Sequence, residues 1–163
     1  MVNYILGVIF LKKAETNNLL HALRSTHKVD HYLKINKSYL LDTDLATELN
    51  RIIDEKGRTK ADVLRSAEIN EIYGYQILSG KRMPSRDKLL CLGLSLQCSE
   101  EEMQFLLKLA QIAPLYPKRT RDSIILFGLL HQQTVPEVNE ELLAHHEDLI
   151  SEHVPRPVNN AQE

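Results

Sequence analysis

TKADVLRSAEINEIYGYQILSGKRMPS, residues Thr59 to Ser85, reads as a helix, a tight turn, a second helix, a glycine and a basic pair. Thr59 is an N-cap residue for a helix from Lys60 to Ser66, with apolar positions at Val63, Leu64 and Ala67. After a short break Asn70, another good N-cap, opens a helix from Glu71 to Ser79 that Gly80 ends. Two helices joined so tightly hold each other rigidly, and the second can lie in a major groove about 12 Å wide.

The flanks continue in the same helical idiom. Upstream, the pattern sharpens from Asp44: Leu45, Leu49, Ile52 and Ile53 share one face, and Gly57 stands where a left-handed residue would close the helix. Earlier still, Thr16 to Leu41 predicts two short helices broken near Ser25 to His27. Downstream, Pro84 and Ser85 start a helix through Leu94, and Ser99 with Glu102 forms a capping box for another in which Met103, Leu106, Leu107 and Ala110 share a face. Pro114 to Pro117 forces a break. A helix from about Thr120 to His131 is apolar nearly all round, which predicts burial on several sides. Thr134 and Glu137 make a second capping box with Pro136 in the first turn. The fold class is therefore all-α, a helix-turn-helix core with additional helices on both sides.

The residues of this corner resemble the lambda-repressor-like (Xre, Cro) family. Leu45 to Lys56 matches its first helix, Thr59 to Ala67 its second, Ile69 and Asn70 its turn, and Gly80, Lys81, Arg82 and Pro84 its basic close. YGYQILSGKRMPSRDKLL, APLYPKRTRD and TVPEVNEELL are similar to a bacterial Xre subgroup with extra carboxyl-side helices, over about Leu40 to Leu143. The resemblance implies binding to double-stranded DNA and transcriptional control, with the helix 71–79 in the major groove. Glu68 and Gly74 depart from the family pattern. Gly74 stands where the family places a buried Ile or Val, which predicts a loss of packing and helix propensity.

On that resemblance the DNA contacts are Thr59, Lys60, Asn70, Glu71, Ile72, Tyr73, Tyr75, Gln76, Ser79, Lys81 and Arg82. Lys60 sits where the family touches phosphate, and Gln76 can pair with adenine. Glu71 can accept only from cytosine N4, since phosphate repels it. Lys81 and Arg82 can grip the backbone. Tyr73 and Tyr75 straddle Gly74, so each either reaches the DNA or packs over the glycine. Lys118, Arg119 and Arg121 can touch phosphate, or Arg121 can pair with Asp122 at a helix start. His27 and His31, like His145, His146 and His153, read as surface histidines, with no third ligand at a recognised metal spacing.

Composition limits the alternatives. The chain has 163 residues, of which 43% are apolar and none is Trp, so its apolar surface is aliphatic and spread over amphipathic helices. Cys91 and Cys98 fit neither a redox nor a zinc spacing, and a reducing cytoplasm is the simple inference. The apolar start, Tyr4 to Leu11, is too short to span a bilayer. The net charge of -2 is uneven: residues 1–43 sum to +3 and residues 132–163 to -6, so contact with phosphate belongs to the first two thirds.

These features divide the chain into an amino-terminal helical extension (1–43), a helix-turn-helix domain (44–113), a carboxyl-side helical extension (114–150) and a disordered tail (151–163). The extension offers a surface for a homodimer or a protein partner. No Gly-rich phosphate loop, nucleophile signature or paired acidic motif is visible, so neither catalysis nor a cofactor or metal is expected. The rival expectation is a protein-interaction adaptor, antitoxin-like, that uses the fold without DNA.

Overall fold

The computed structural model describes residues 16–152, and every regular element among them is helical. The chain divides into two compact units between Asp42 and Thr43. The first holds α1 (residues 16–25), α2 (Val29–Ile35) and a 3-10 turn (Lys37–Tyr39). Its helices break at residues 26–28, and α2 buries none of its side chains.

The second unit carries α3 (Leu45–Glu55), α4 (Lys60–Ser66), α5 (Glu71–Leu78), α6 (Arg86–Ser95), α7 (Glu100–Leu109), α8 (Thr120–Leu130) and α9 (Val135–Ala144). Side chains cap most of the starts: the Asp44 carboxylate accepts from the Thr47 N–H at 2.8 Å, and Asn70 Oδ1 accepts from the N–H groups of Ile72 and Tyr73. Ser99 with Glu102 and Thr134 with Glu137 close both capping boxes.

Each of these seven helices ends through a left-handed residue: Gly57, Glu68, Gly80, Gln97, Gln111, Gln132 and His146. The following N–H reaches back five residues to a carbonyl, as in Ile69 to Leu64 at 3.0 Å, Cys98 to Gly93 at 2.9 Å and Glu147 to Leu142 at 2.9 Å. Left-handed backbone costs an L-residue about 1–2 kcal/mol, so five of these seven endings carry strain that glycine would relieve.

α6 is the central helix. It packs on α4, α7, α8 and α9, and Leu89 through Ser95 are all buried. Over 120–131, α8 packs on α6, α7 and α9, yet it is not covered all round: Phe127 and Leu130 remain exposed, with Phe127 stacked on His131.

Two side-chain devices tie the outer segments to this core. Gln104 makes a pair of bonds to the backbone of Leu115, donating to its carbonyl at 2.8 Å and accepting from its N–H at 2.9 Å. Beyond α9, Asn139 Oδ1 accepts from the Ile150 N–H, Asn139 Nδ2 donates to Ser151 Oγ at 2.7 Å, and the Cys91 thiol donates to the Ile150 carbonyl. Ser151, assigned by its sequence to a loose tail, is therefore buried with Ile150. The rest of that assignment, 153–163 with His153, and the apolar start Tyr4 to Leu11 lie outside the described residues.

Candidate nucleic-acid interface

The α4–α5 corner is set by what its inner side buries. Val63, Leu64, Ala67, Ile69, Ile77 and Leu78 are all within the core. Asn50 on α3 donates to the Leu78 carbonyl at 2.8 Å and so fixes the far end of α5. Gly74 corrects the packing expectation. A Cβ there would meet Leu64 Cδ2 at 2.2 Å, so the space a larger residue would fill is occupied by Leu64 and nothing is left empty.

Glu68, the other departure, has φ +54° at the turn, and its carboxylate accepts a hydrogen bond from the Ser151 hydroxyl. The corner is thus bonded to the segment that follows α9. Asn139 is the only sign of this in the sequence, a polar residue on a helix face otherwise lined by Val135, Val138 and Leu142.

The outward surface of α5 is open. Glu71, Ile72, Tyr75 and Ser79 are exposed and Gln76 is partly so, with Ile72, at 74% exposure, the most prominent apolar side chain among the described residues of the unit. Tyr73 and Tyr75 part company: Tyr75 faces out, whereas Tyr73 is half-buried against the core with the Arg82 guanidinium 5.0 Å from its ring centre. Lys60, Lys81 and Met83 are exposed as well.

Thr59 and Asn70 act mainly as caps. Thr59 Oγ1 donates to Asp62 Oδ2 at 2.7 Å and accepts from the Asp62 N–H, and that hydroxyl, aided by Arg65, holds the Asp62 carboxyl below its ordinary value. The Ser79 hydroxyl donates to the Gln76 carbonyl.

Arg121 and Asp122 do not pair with each other. Arg121 reaches Asp87 at 3.0 Å and the carbonyls of Asp148 and Leu149. Asp122, buried, takes the Arg86 guanidinium on both oxygens at 3.0 and 3.1 Å. Lys118 and Arg119 are exposed, as are His27, His31, His145 and His146.

Among the described residues no group of three or more His, Cys, Asp or Glu is arranged to hold a metal, and no helix is long and apolar enough to cross a membrane. Comparison with protein-family models, with curated proteins and with solved structures gives no match.

Proposed function

We propose that the chain is a DNA-binding transcriptional regulator of the lambda-repressor-like (Xre) type, with α5 entering the major groove. The observation that carries this is the two-sidedness of α5. Its inner line, Gly74, Ile77 and Leu78, is locked to α3 and α4, while Glu71, Ile72, Tyr75 and Gln76 look outward from a helix about 12 Å long. Gln76 pairs with adenine, Glu71 accepts from cytosine N4, and Ile72 and Tyr75 meet thymine methyls. Lys60, Lys81 and Arg82 hold phosphate.

Exposed Phe127, Leu130 and Leu143 on α8 and α9 suit association of two copies on successive half-sites. The role is cytoplasmic and carries no catalytic step. Selection from random duplexes at low and moderate salt tests it: a preferred sequence emerges, and affinity falls with salt. Gln76→Ala relaxes the preference at one position by about 1–3 kcal/mol of discrimination. Lys60→Ala weakens all sequences alike. Neither effect appearing would remove α5 from the groove.

One observation favours a second reading. The 74% exposed Ile72 beside Glu71 also suits a protein-docking adaptor. That alternative requires salt-insensitive capture of a protein partner and no retention of duplex.

A further inference from the structure

The loop joining α7 to α8 is held far more firmly than a surface loop needs to be. Leu115 is buried, and Gln104 bonds both its N–H and its carbonyl. Arg86 Nε donates to the Ala113 carbonyl at 3.2 Å, and its Nη2 reaches the Pro114 carbonyl at 3.4 Å. The Tyr116 N–H donates to Asp122 Oδ2 at 3.0 Å, and the Ser123 hydroxyl donates to the Pro117 carbonyl at 2.7 Å. Four side chains from α6, α7 and α8 thus fix a tip whose own side chains, Tyr116, Pro117, Lys118 and Arg119, all face solvent.

Charge bookkeeping at the tip leaves it cationic. Residues 113–119 hold two cations and no acid. The neighbouring carboxylates are engaged, Asp122 by Arg86 and Asp87 by Arg121, and exposed Asp148 stands beyond Arg121, which bonds its carbonyl. No ion pair forms at Lys118 or Arg119 among the described residues.

Position completes the case. Arg86, which grips the loop, is the first residue of α6 and follows Arg82 by four residues, a span of at most about 14 Å. From Pro114 to Lys118 is another four residues, at most about 14 Å again. Allowing for the Arg86 side chain that joins these two spans, the tip lies within about 40 Å of the basic pair Lys81 and Arg82, little more than one turn of duplex, 34 Å.

We infer that the loop 113–119 is a second backbone grip, taking the sugar-phosphate of duplex DNA through Lys118 and Arg119 beside the bases that α5 reads. The inference rests on the DNA-binding reading above. Because the tip is already ordered, it binds without the entropic cost of fixing a mobile loop. Each phosphate contact contributes about 0.9 to the slope of log affinity against log salt.

The test uses the full chain and a labelled random-sequence duplex, titrated over a range of salt. Lys118→Ala/Arg119→Ala, two exposed positions, lowers the slope by nearly two, at about 0.9 per contact, and weakens random and selected duplexes by the same factor. The charge-preserving pair Lys118→Arg/Arg119→Lys restores the wild-type slope. A slope unchanged by the double Ala variant, in a wild-type chain that does bind duplex, overturns the grip and leaves the α5 reading standing. Loss of binding to polyglutamate without loss of duplex binding also overturns it, giving the tip to an acidic protein instead. A wild-type chain that retains no duplex at low salt overturns both.

Discussion

At Gly74 two opposing tendencies can be weighed. Alanine is favoured over glycine in a helix by about 1 kcal/mol. Its methyl would sit 2.2 to 2.9 Å from Leu64 Cδ2, Cδ1 and Cγ, and Leu64 is fully buried. Overpacking of that kind costs about 1–3 kcal/mol, so Gly74→Ala lowers stability by roughly 1 kcal/mol and shifts the urea midpoint down. In a Leu64→Ala background the clash is gone and the same substitution becomes neutral or stabilising, a non-additivity that a double-mutant cycle reads directly. A stabilising Gly74→Ala in the wild-type background would mean that α4 and α5 do not approach as described. The same contact explains why the sequence misleads here: a glycine in place of an aliphatic residue reads as a hole, and only the neighbouring helix reveals that Leu64 fills it.

The helix ends show how far local chemistry carries a fold. Starts are legible because a cap is a short-range bond: Asp44, Thr59, Asn70, Ser85, Ser99 and Thr134 all accept from an N–H two or three residues on. Gly57 and Gly80 announce two of the stops, but Gln97, Gln111, Gln132 and His146 do so nowhere in their identity, since their left-handed backbone is imposed by packing on either side. Gln132→Gly relieves that strain by about 1 kcal/mol and raises the melting temperature by roughly 4 °C, whereas Gln132→Val lowers it. Acid acts on the starts instead. The Thr47 N–H holds the Asp44 carboxyl below its ordinary 3.8, and the Thr134 N–H holds Glu137 below 4.5. A carboxyl depressed in the folded state stabilises it above the unfolded pKa, and that contribution disappears as pH falls through the folded value. Asp44→Asn keeps the cap without the charge, so the stability gap between wild type and variant, measured by urea titration, narrows as the pH drops below about 4. The inner and outer sides of α5 are only partly legible in the sequence. A helix of eight residues with glycine at its centre has little contrast between faces, so the sequence does not separate Tyr73 from Tyr75; the Arg82 guanidinium over the Tyr73 ring does.

Across the whole second unit, the segment after α9 acts as a strap. Arg121 bonds the carbonyls of Asp148 and Leu149, Asn139 the Ile150 N–H, Cys91 the Ile150 carbonyl, and Ser151 the Glu68 carboxylate at the α4–α5 corner. No periodicity signals such a closure, because its partners lie 83 residues apart and meet through side chains alone. The two cysteines report on it separately. Burial pushes both thiols up to about 12, so neither is a thiolate at neutral pH and alkylation has to wait for opening. Cys91 lies under Ile150, whereas Cys98 closes α6 through its N–H bond to Gly93 at 2.9 Å, away from the strap's bonds. Ser151→Ala removes a hydrogen bond to a charged acceptor, worth about 1.5–3 kcal/mol, so release of the strap becomes roughly 10- to 100-fold more frequent. Iodoacetamide labelling followed by mass spectrometry then shows Cys91 modified faster by that factor while Cys98 keeps its wild-type rate. Equal acceleration at both thiols would place the opening in the core and deny the strap any independence, and no acceleration at either would mean that Ser151 does not hold the corner.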